Sequence, residues 1–450
     1  LSVETALEQK ENASAERIQK MEELHMAIAV LLILLVGIVL FVTEIIPLPV
    51  TAMSMCVAFY LTGAVDASTA LAAFSSGTAM IIVCMAIVGE AVFKTGGAAK
   101  IAHVLTKFAD SERKLMFVTV LFSGLMSGFL SNTGAAGLLI ALILGISLST
   151  GMKRSKLMYP VIVGCCFGGG ITIVGTTSGP YLKEALEGLG TGMTFSFFEW
   201  APLSLILLVA SAIYMATIGY KLLPDVPNNE GSYDAASLQT ADFSDVPAWK
   251  TWLSIGVMVL TLIGMIFEKQ IGIKLHFMAI IGAIIVVATG CLTVKQASHA
   301  IPTSGLIIYA ALVPVAKAMT NSGAADLISN AAQTLFSSVG SPLLIVILIF
   351  LFVTPLTQFM SNAATIILLT PIALLVSSAL SINPKAMLTA VRFAASIAIA
   401  TPVAMPANSM AVEPGGYRFR DYLRPGLPLT LICVVISVAY IAIFYPLTSF

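Results

Sequence analysis

Charge is what this sequence has least of. Lys and Arg number 23, Asp and Glu also 23, so 10% of the 450 residues are charged and the formal net charge is zero. With 58% of residues hydrophobic, so little charge cannot keep a globular chain in solution. The charges fall in short segments between apolar runs, so their zero sum says nothing about a nucleic-acid partner and their distribution matters more; no nucleic acid is expected. Histidine is nearly missing: His25, His103, His276 and His299 lie at the ends of apolar runs or in connectors, with no two at metal-ligand spacing. Six cysteines (Cys56, Cys84, Cys165, Cys166, Cys291, Cys433) sit inside apolar stretches at spacings that fit neither zinc nor a disulfide framework, and read as packing or lipid-facing residues. No nucleophile with a base, and no cluster of His and acidic residues, occurs in the apolar runs. That argues against a membrane enzyme and against an organic cofactor.

Long apolar runs are what the chain has instead. A bilayer core of about 30 Å takes about 20 apolar residues per helix. Runs of this kind lie at about 25–46, 48–65, 74–95, 155–176, 198–222, 250–268, 273–291, 303–320, 386–405 and 427–447, which predicts an all-α, multi-pass protein of the cell membrane. Residues 1–24 are charged and lack such a run, so they read as an amphipathic surface segment rather than a signal peptide or span. Two further stretches, 112–150 and 341–380, are too long for one helix and are interrupted mid-way by small polar residues. Irregular backbone at membrane depth is tolerated only where protein or a water-filled cavity surrounds it. Each stretch is therefore expected to be a re-entrant hairpin.

A polar linker at 223–249, with Asp225, Glu230, Asp234, Asp242 and Asp245 beside Pro227, Asn228, Asn229 and Gly231, divides the chain into 25–222 and 250–450. The halves match in order. Thr62-Gly63 before Ser75-Ser76-Gly77 returns as Thr289-Gly290 before Thr303-Ser304-Gly305, and Gly97-Ala98-Ala99 returns as Gly323-Ala324-Ala325. Phe129-Leu130-Ser131-Asn132-Thr133 returns as Phe359-Met360-Ser361-Asn362-Ala363, both at the hairpin interruptions. Matches in one order at a nearly constant offset argue for duplication. Five spans per half then require the second half to enter the membrane inverted. Charge agrees: Lys94, Lys100, Lys107, Arg113, Lys114, Lys153, Arg154 and Lys156 flank the first hairpin, whereas no Lys or Arg occurs from Ala318 to Pro384 around the second, and Arg418, Arg420 and Arg424 precede the last run.

Two broken helices accompany the hairpins. Gly168-Gly169-Gly170 leads into Gly175-Thr176-Thr177-Ser178-Gly179-Pro180, and Thr401-Pro402-Val403-Ala404-Met405-Pro406-Ala407-Asn408 holds the equivalent place. Inverted repeats whose chain breaks meet at the midplane are a transporter architecture, with half-helix N-termini for an anion and unwound carbonyls for a hard cation. Ser, Thr and Asn suit such a site because they donate and accept without a buried charge.

The paired tips, the paired Thr- and Pro-containing loops and the run from Gly415 to Leu423 resemble the divalent anion:sodium symporter (DASS) family over residues 25–447. The resemblance implies a homodimeric elevator that couples a small divalent anion (dicarboxylate, tricarboxylate or sulfate) to Na⁺. It implies one Na⁺ site from Ser131, Asn132, Gly175 and Thr176, and another from Ser361, Asn362, Ala404 and Asn408. The substrate would meet Ser131, Asn132, Thr133, Thr177, Ser361, Asn362, Ala363, Thr401 and Pro402. Two departures stand out. Ala363 lacks the Thr hydroxyl of the family pattern, and the first loop ends in Gly179 where the family commonly has Asn. Sodium-independent exchange on the same scaffold therefore stays an alternative; a channel is disfavoured because a pore repeats its lining segment around an axis. Glu90, Lys317 and Arg392 fall in or at the ends of apolar runs, where an ionisable residue is either functional or reaches an interface or ties elements together.

The inverted reading predicts that the segments at Lys107 and Lys153 face the cytoplasm and that at Ser337–Ser341 the opposite side. Single-cysteine labelling with an impermeant probe checks it; labelling of both hairpin bases from one side would refute inversion.

Overall fold

In the computed structural model, residues 2–108, 110–226, 243, 245–336 and 341–448 are described, and they are helical throughout apart from turns and one isolated bridge between Ile382 and Thr448. Residues 227–242 of the linker and 337–340 lie outside the described residues. The principal helices of the first half are α1 (Ser2–Thr43), α2 (Leu48–Leu61), α3 (Gly77–Lys94), α4 (Glu112–Phe129), α5 (Asn132–Thr150), α6 (Arg154–Gly168), α7 (Ser178–Glu187) and α8 (Ala201–Tyr214). Those of the second are α9 (Ala248–Ile266), α10 (Leu275–Ala288), α11 (Thr303–Leu312), α12 (Ala324–Phe336), α13 (Pro342–Thr357), α14 (Asn362–Ala379), α15 (Pro384–Ser396), α16 (Pro406–Met410) and α17 (Phe419–Phe444). Eight helical segments among the described residues are long and apolar enough to cross a membrane. Outward-facing leucines, isoleucines and valines on α1, α8 and α17, such as Val435 at 67% exposure, are what a lipid contact requires.

The two halves run through the same local bonds. Ser147 Oγ donates to Met152 O at the end of α5, and Ser377 Oγ donates to Ile382 O at the end of α14. Gly63 and Gly290 turn after α2 and α10 at φ 76° and 71°, conformations that a Cβ disfavours. The halves also interlock, since α3 packs on α10 and α11 packs on α2. Asp225, at the start of the linker, is held 3.0 Å from Lys153 Nζ and 3.2 Å from Lys156 Nζ. The hydrogen bonds from Lys153 and then Lys156 keep that carboxyl below its usual pKa.

The closest packing fixes the first hairpin against α6. Gly124 and Gly128 on α4 face Gly164 and Gly168 on α6, the small-residue spacing that lets helix backbones approach in lipid. A Cβ on Gly168 would lie 2.1 Å from Gly124 O, and one on Gly164 would lie 2.3 Å from Val120 O. Both obstacles are backbone, so neither can swing aside. Gly168→Ala is therefore expected to lower the thermal midpoint of the detergent-purified protein, at an overpacking cost of about 1–3 kcal/mol. Gly145→Ala, where a Cβ meets nothing within 4 Å, is the control and should leave the midpoint unchanged.

Candidate functional site

Each hairpin turns at a serine that cannot stay helical. Leu130 and Ser131 are extended, and Ser131 Oγ then accepts from Gly134 N at 3.2 Å to start α5. Ser361 does the same for α14, accepting from Ala364 N at 3.3 Å. Behind each tip a hydroxyl locks the following asparagine. Ser127 Oγ lies 2.6 Å from Asn132 Oδ1 and 2.9 Å from Cys165 O; Thr357 Oγ1 lies 3.1 Å from Asn362 Oδ1 and 2.7 Å from Ala395 O. Each carboxamide is thus oriented from the helix that leads into its tip.

The loops are tied to the hairpins in the same paired way. Thr172 Oγ1 donates to Gly128 O at 2.6 Å, and Thr401 Oγ1 donates to Gln358 O. Gln358 reaches further, donating from Nε2 to Ile397 O at 2.6 Å and accepting from Ala400 N at 2.9 Å. Asn408, fully buried, donates from Nδ2 to Ala398 O at 2.9 Å and Thr401 O at 2.8 Å. Two carbonyl acceptors fix the amide orientation. Its Oδ1 is left buried with no hydrogen-bond donor among the described residues.

Tips and first loop converge on one cavity of about 570 Å³. Ser131, Asn132 and Thr133 line it together with Ser361, Asn362 and Ala363 and with Gly175, Thr176 and Thr177. Thr401, Pro402, Ala404 and Asn408, expected from sequence to share in binding, are not on the wall; their neighbours Met405, Pro406 and Ala407 are. Sequence reading missed the wall formed by Thr303, Ser304 and Gly305 at the start of α11, although the same triplet marked the duplication. Gln358 was missed as well, and a lone amide near the end of an apolar run was its only signal. Of the intramembrane charges, Glu90 lines the cavity and lies 3.7 Å from Lys94. Lys317 is exposed, and Arg392 ties α15 to the first loop. Among the described residues no Lys or Arg reaches the wall. Helices α5, α7, α11 and α14 all begin there, so backbone N–H groups, hydroxyls and carboxamides are the donors offered to an anion.

The sequence matches the citrate transporter family over residues 38–381 and 332–449. It is 23% identical to a Synechocystis transporter over 92% of this chain and 96% of that protein. It is 23% identical to the sodium-dependent dicarboxylate transporter SdcS of Staphylococcus saprophyticus over 76% of this chain and 72% of that one. Sodium/sulfate cotransporter 1 of Chlamydomonas reinhardtii is 26% identical over 42% of this chain and 22% of its own length. Among solved structures, the fold is similar to the Alcanivorax borkumensis YdaH transporter (TM-score 0.61, 15% identity, 95% of this chain and 100% of that one). It is also similar to Neisseria gonorrhoeae MtrF, of a class of antimetabolite efflux pumps (TM-score 0.60, 17% identity, 86% and 84%).

Ala363 on the cavity wall generates a direct check. Ala363→Thr adds one donor there and should change the affinity for a bound anion about twofold to tenfold, the worth of one net hydrogen bond of about 0.5–1.5 kcal/mol. Ala363→Val adds similar bulk without the donor. Competition with sulfate, succinate and citrate reads the difference; identical profiles for Thr, Val and the native chain would remove position 363 from the binding site.

Proposed function

Because the chain belongs to the citrate transporter family, a family of the divalent anion:sodium symporter type, and is a multi-pass membrane transporter rather than an enzyme, we propose that it is a Na⁺-coupled symporter. Its substrate class is a small divalent anion: a dicarboxylate, a tricarboxylate or sulfate. The observation that carries this reading is the paired set of hairpin tips opening on one cavity whose wall, among the described residues, offers helix N-termini, neutral donors and the Glu90 carboxylate but no Lys or Arg. An anion in such a site is held without a fixed counter-charge on the wall, so a co-bound cation lowers the cost of bringing it out of water.

Asn408 supports the cation. A buried carboxamide oxygen with no donor among the described residues is costly unless something fills it, and Na⁺ takes oxygen ligands of this type. In this reading Ser361, Asn362, Ala404 and Asn408 surround one Na⁺ behind the second tip, while Asn132, Thr133, Thr177 and Asn362 meet the anion. Residues 25–222 and 250–450 are inverted repeats, the tips and loops travel together as an elevator, and a homodimer provides the fixed scaffold in the cell membrane. The common local bonds of the two halves and the crossed packing of α3 on α10 and α11 on α2 support the repeat.

Purified protein in proteoliposomes should take up radiolabelled succinate, citrate or sulfate faster with an inward Na⁺ gradient than with K⁺ in its place. Asn362→Ala should abolish that uptake while the protein elutes normally from size exclusion. Uptake indifferent to Na⁺, or native uptake in Asn362→Ala, would overturn the symport reading.

A further inference from the structure

Arg392 is 1% exposed and sits on α15, yet both of its terminal nitrogens reach across to the first loop. Nη2 donates to Gly169 O at 3.0 Å and Nη1 to Thr176 Oγ1 at 3.2 Å, while the guanidinium carbon stands 4.2 Å from the ring of Trp200. No carboxylate pairs with it among the described residues, and its Nε has no hydrogen-bond partner there. A buried formal charge without a counter-charge is costly. Such a charge is expected to serve something other than stability.

The second loop shows what it replaces. Gly179 N donates to Thr176 O as Asn408 N donates to Met405 O, so Gly179 stands where the second loop has Asn408. Gly169 pairs with Ala398 at the same spacing that pairs Thr172 with Thr401 and Gly179 with Asn408, and Ala398 O receives Asn408 Nδ2. In the first loop no side chain can come from position 179, because a Cβ there would lie 2.0 Å from Ile173 O. The guanidinium takes over the carbonyl instead. Asn408 brings a neutral amide with an acceptor oxygen to spare; Arg392 brings a positive charge, donors only, and no ligand for a metal ion. Thr176, to which it is bonded, lines the cavity. Gly169 lies against the first tip closely enough that a Cβ on it would be 2.9 Å from Asn132 Oδ1.

We infer that Arg392 stands in for a sodium ion at the first tip: its guanidinium supplies a fixed positive charge there, and the transporter couples its anion to a single Na⁺, bound at the second tip. This rests on the symport reading above. The arrangement lets the first half help to hold the anion at any Na⁺ concentration, while the second half makes binding conditional on the ion.

The test measures initial uptake against Na⁺ concentration, and the flux ratio of ²²Na⁺ to labelled anion, in proteoliposomes carrying the native chain, Arg392→Lys or Arg392→Gln. The native chain should give a Hill coefficient of about 1 and one Na⁺ per anion. Arg392→Lys, which keeps the charge, should hold the KM within about threefold, and Arg392→Gln should raise it about tenfold or more. Size exclusion and melting curves identify a variant that does not fold; if Arg392→Gln is lost in this way, the native flux ratio and Arg392→Lys decide. A native Hill coefficient near 2 with two Na⁺ per anion, or an unchanged KM in folded Arg392→Gln, would overturn the inference. Native uptake that ignores Na⁺ altogether would instead remove the symport reading and the single-ion coupling with it. In that case the KM of Arg392→Gln in anion exchange shows separately whether the charge serves the anion.

Discussion

A helix broken inside a bilayer leaves peptide groups that no water can reach, and nearly every polar side chain buried around the cavity answers that constraint. Thr172 and Thr401 close the gap between each loop and its hairpin. Gln358 and Asn408 gather the carbonyls and N–H groups of residues 397–401, and Arg392 donates to one carbonyl, Gly169 O, and one hydroxyl, Thr176 Oγ1, of the first loop. The site is therefore the by-product of solving a hydrogen-bonding problem. Breaks are permitted only where partners converge, and converging partners leave a polar pocket in an apolar protein.

Because the partners come from neighbouring helices, each tip is positioned by its own half. Ser127 and Thr357 orient Asn132 and Asn362 through one hydroxyl each, and the glycine crossing of α4 with α6 holds the first hairpin rigidly against the helix that precedes its loop. The hairpin, α6 and the loop after it can then shift only together. A donor displaced by 1 Å loses most of a hydrogen bond, so this rigidity is what keeps the donor groups of the cavity in register.

The membrane class was legible in the sequence because hydropathy reports it directly, and so were the tips, because Ser131-Asn132 and Ser361-Asn362 interrupt runs that are otherwise apolar. Family membership followed from the same residues. What the sequence concealed is whatever depends on which atoms meet. Thr401 and Asn408 carry groups suited to a wall, yet they face carbonyls behind it. Thr303 and Ser304 look like an ordinary helix start, yet they complete the cavity. An arginine in an apolar run says that a charge is buried, but not that it crosses to the other half of the molecule.

The crowding at Gly179 and the reach of Arg392 to the same loop also constrain how this site can change through mutation. Placing a side chain at 179 alone drives it into Ile173 O; removing the guanidinium alone strips Gly169 O of its donor. Each single step is harmful, and the glycine also needs room made by a shift of the loop backbone. Positions 179 and 392 are thus epistatically locked, and drift at either one is closed unless both move together.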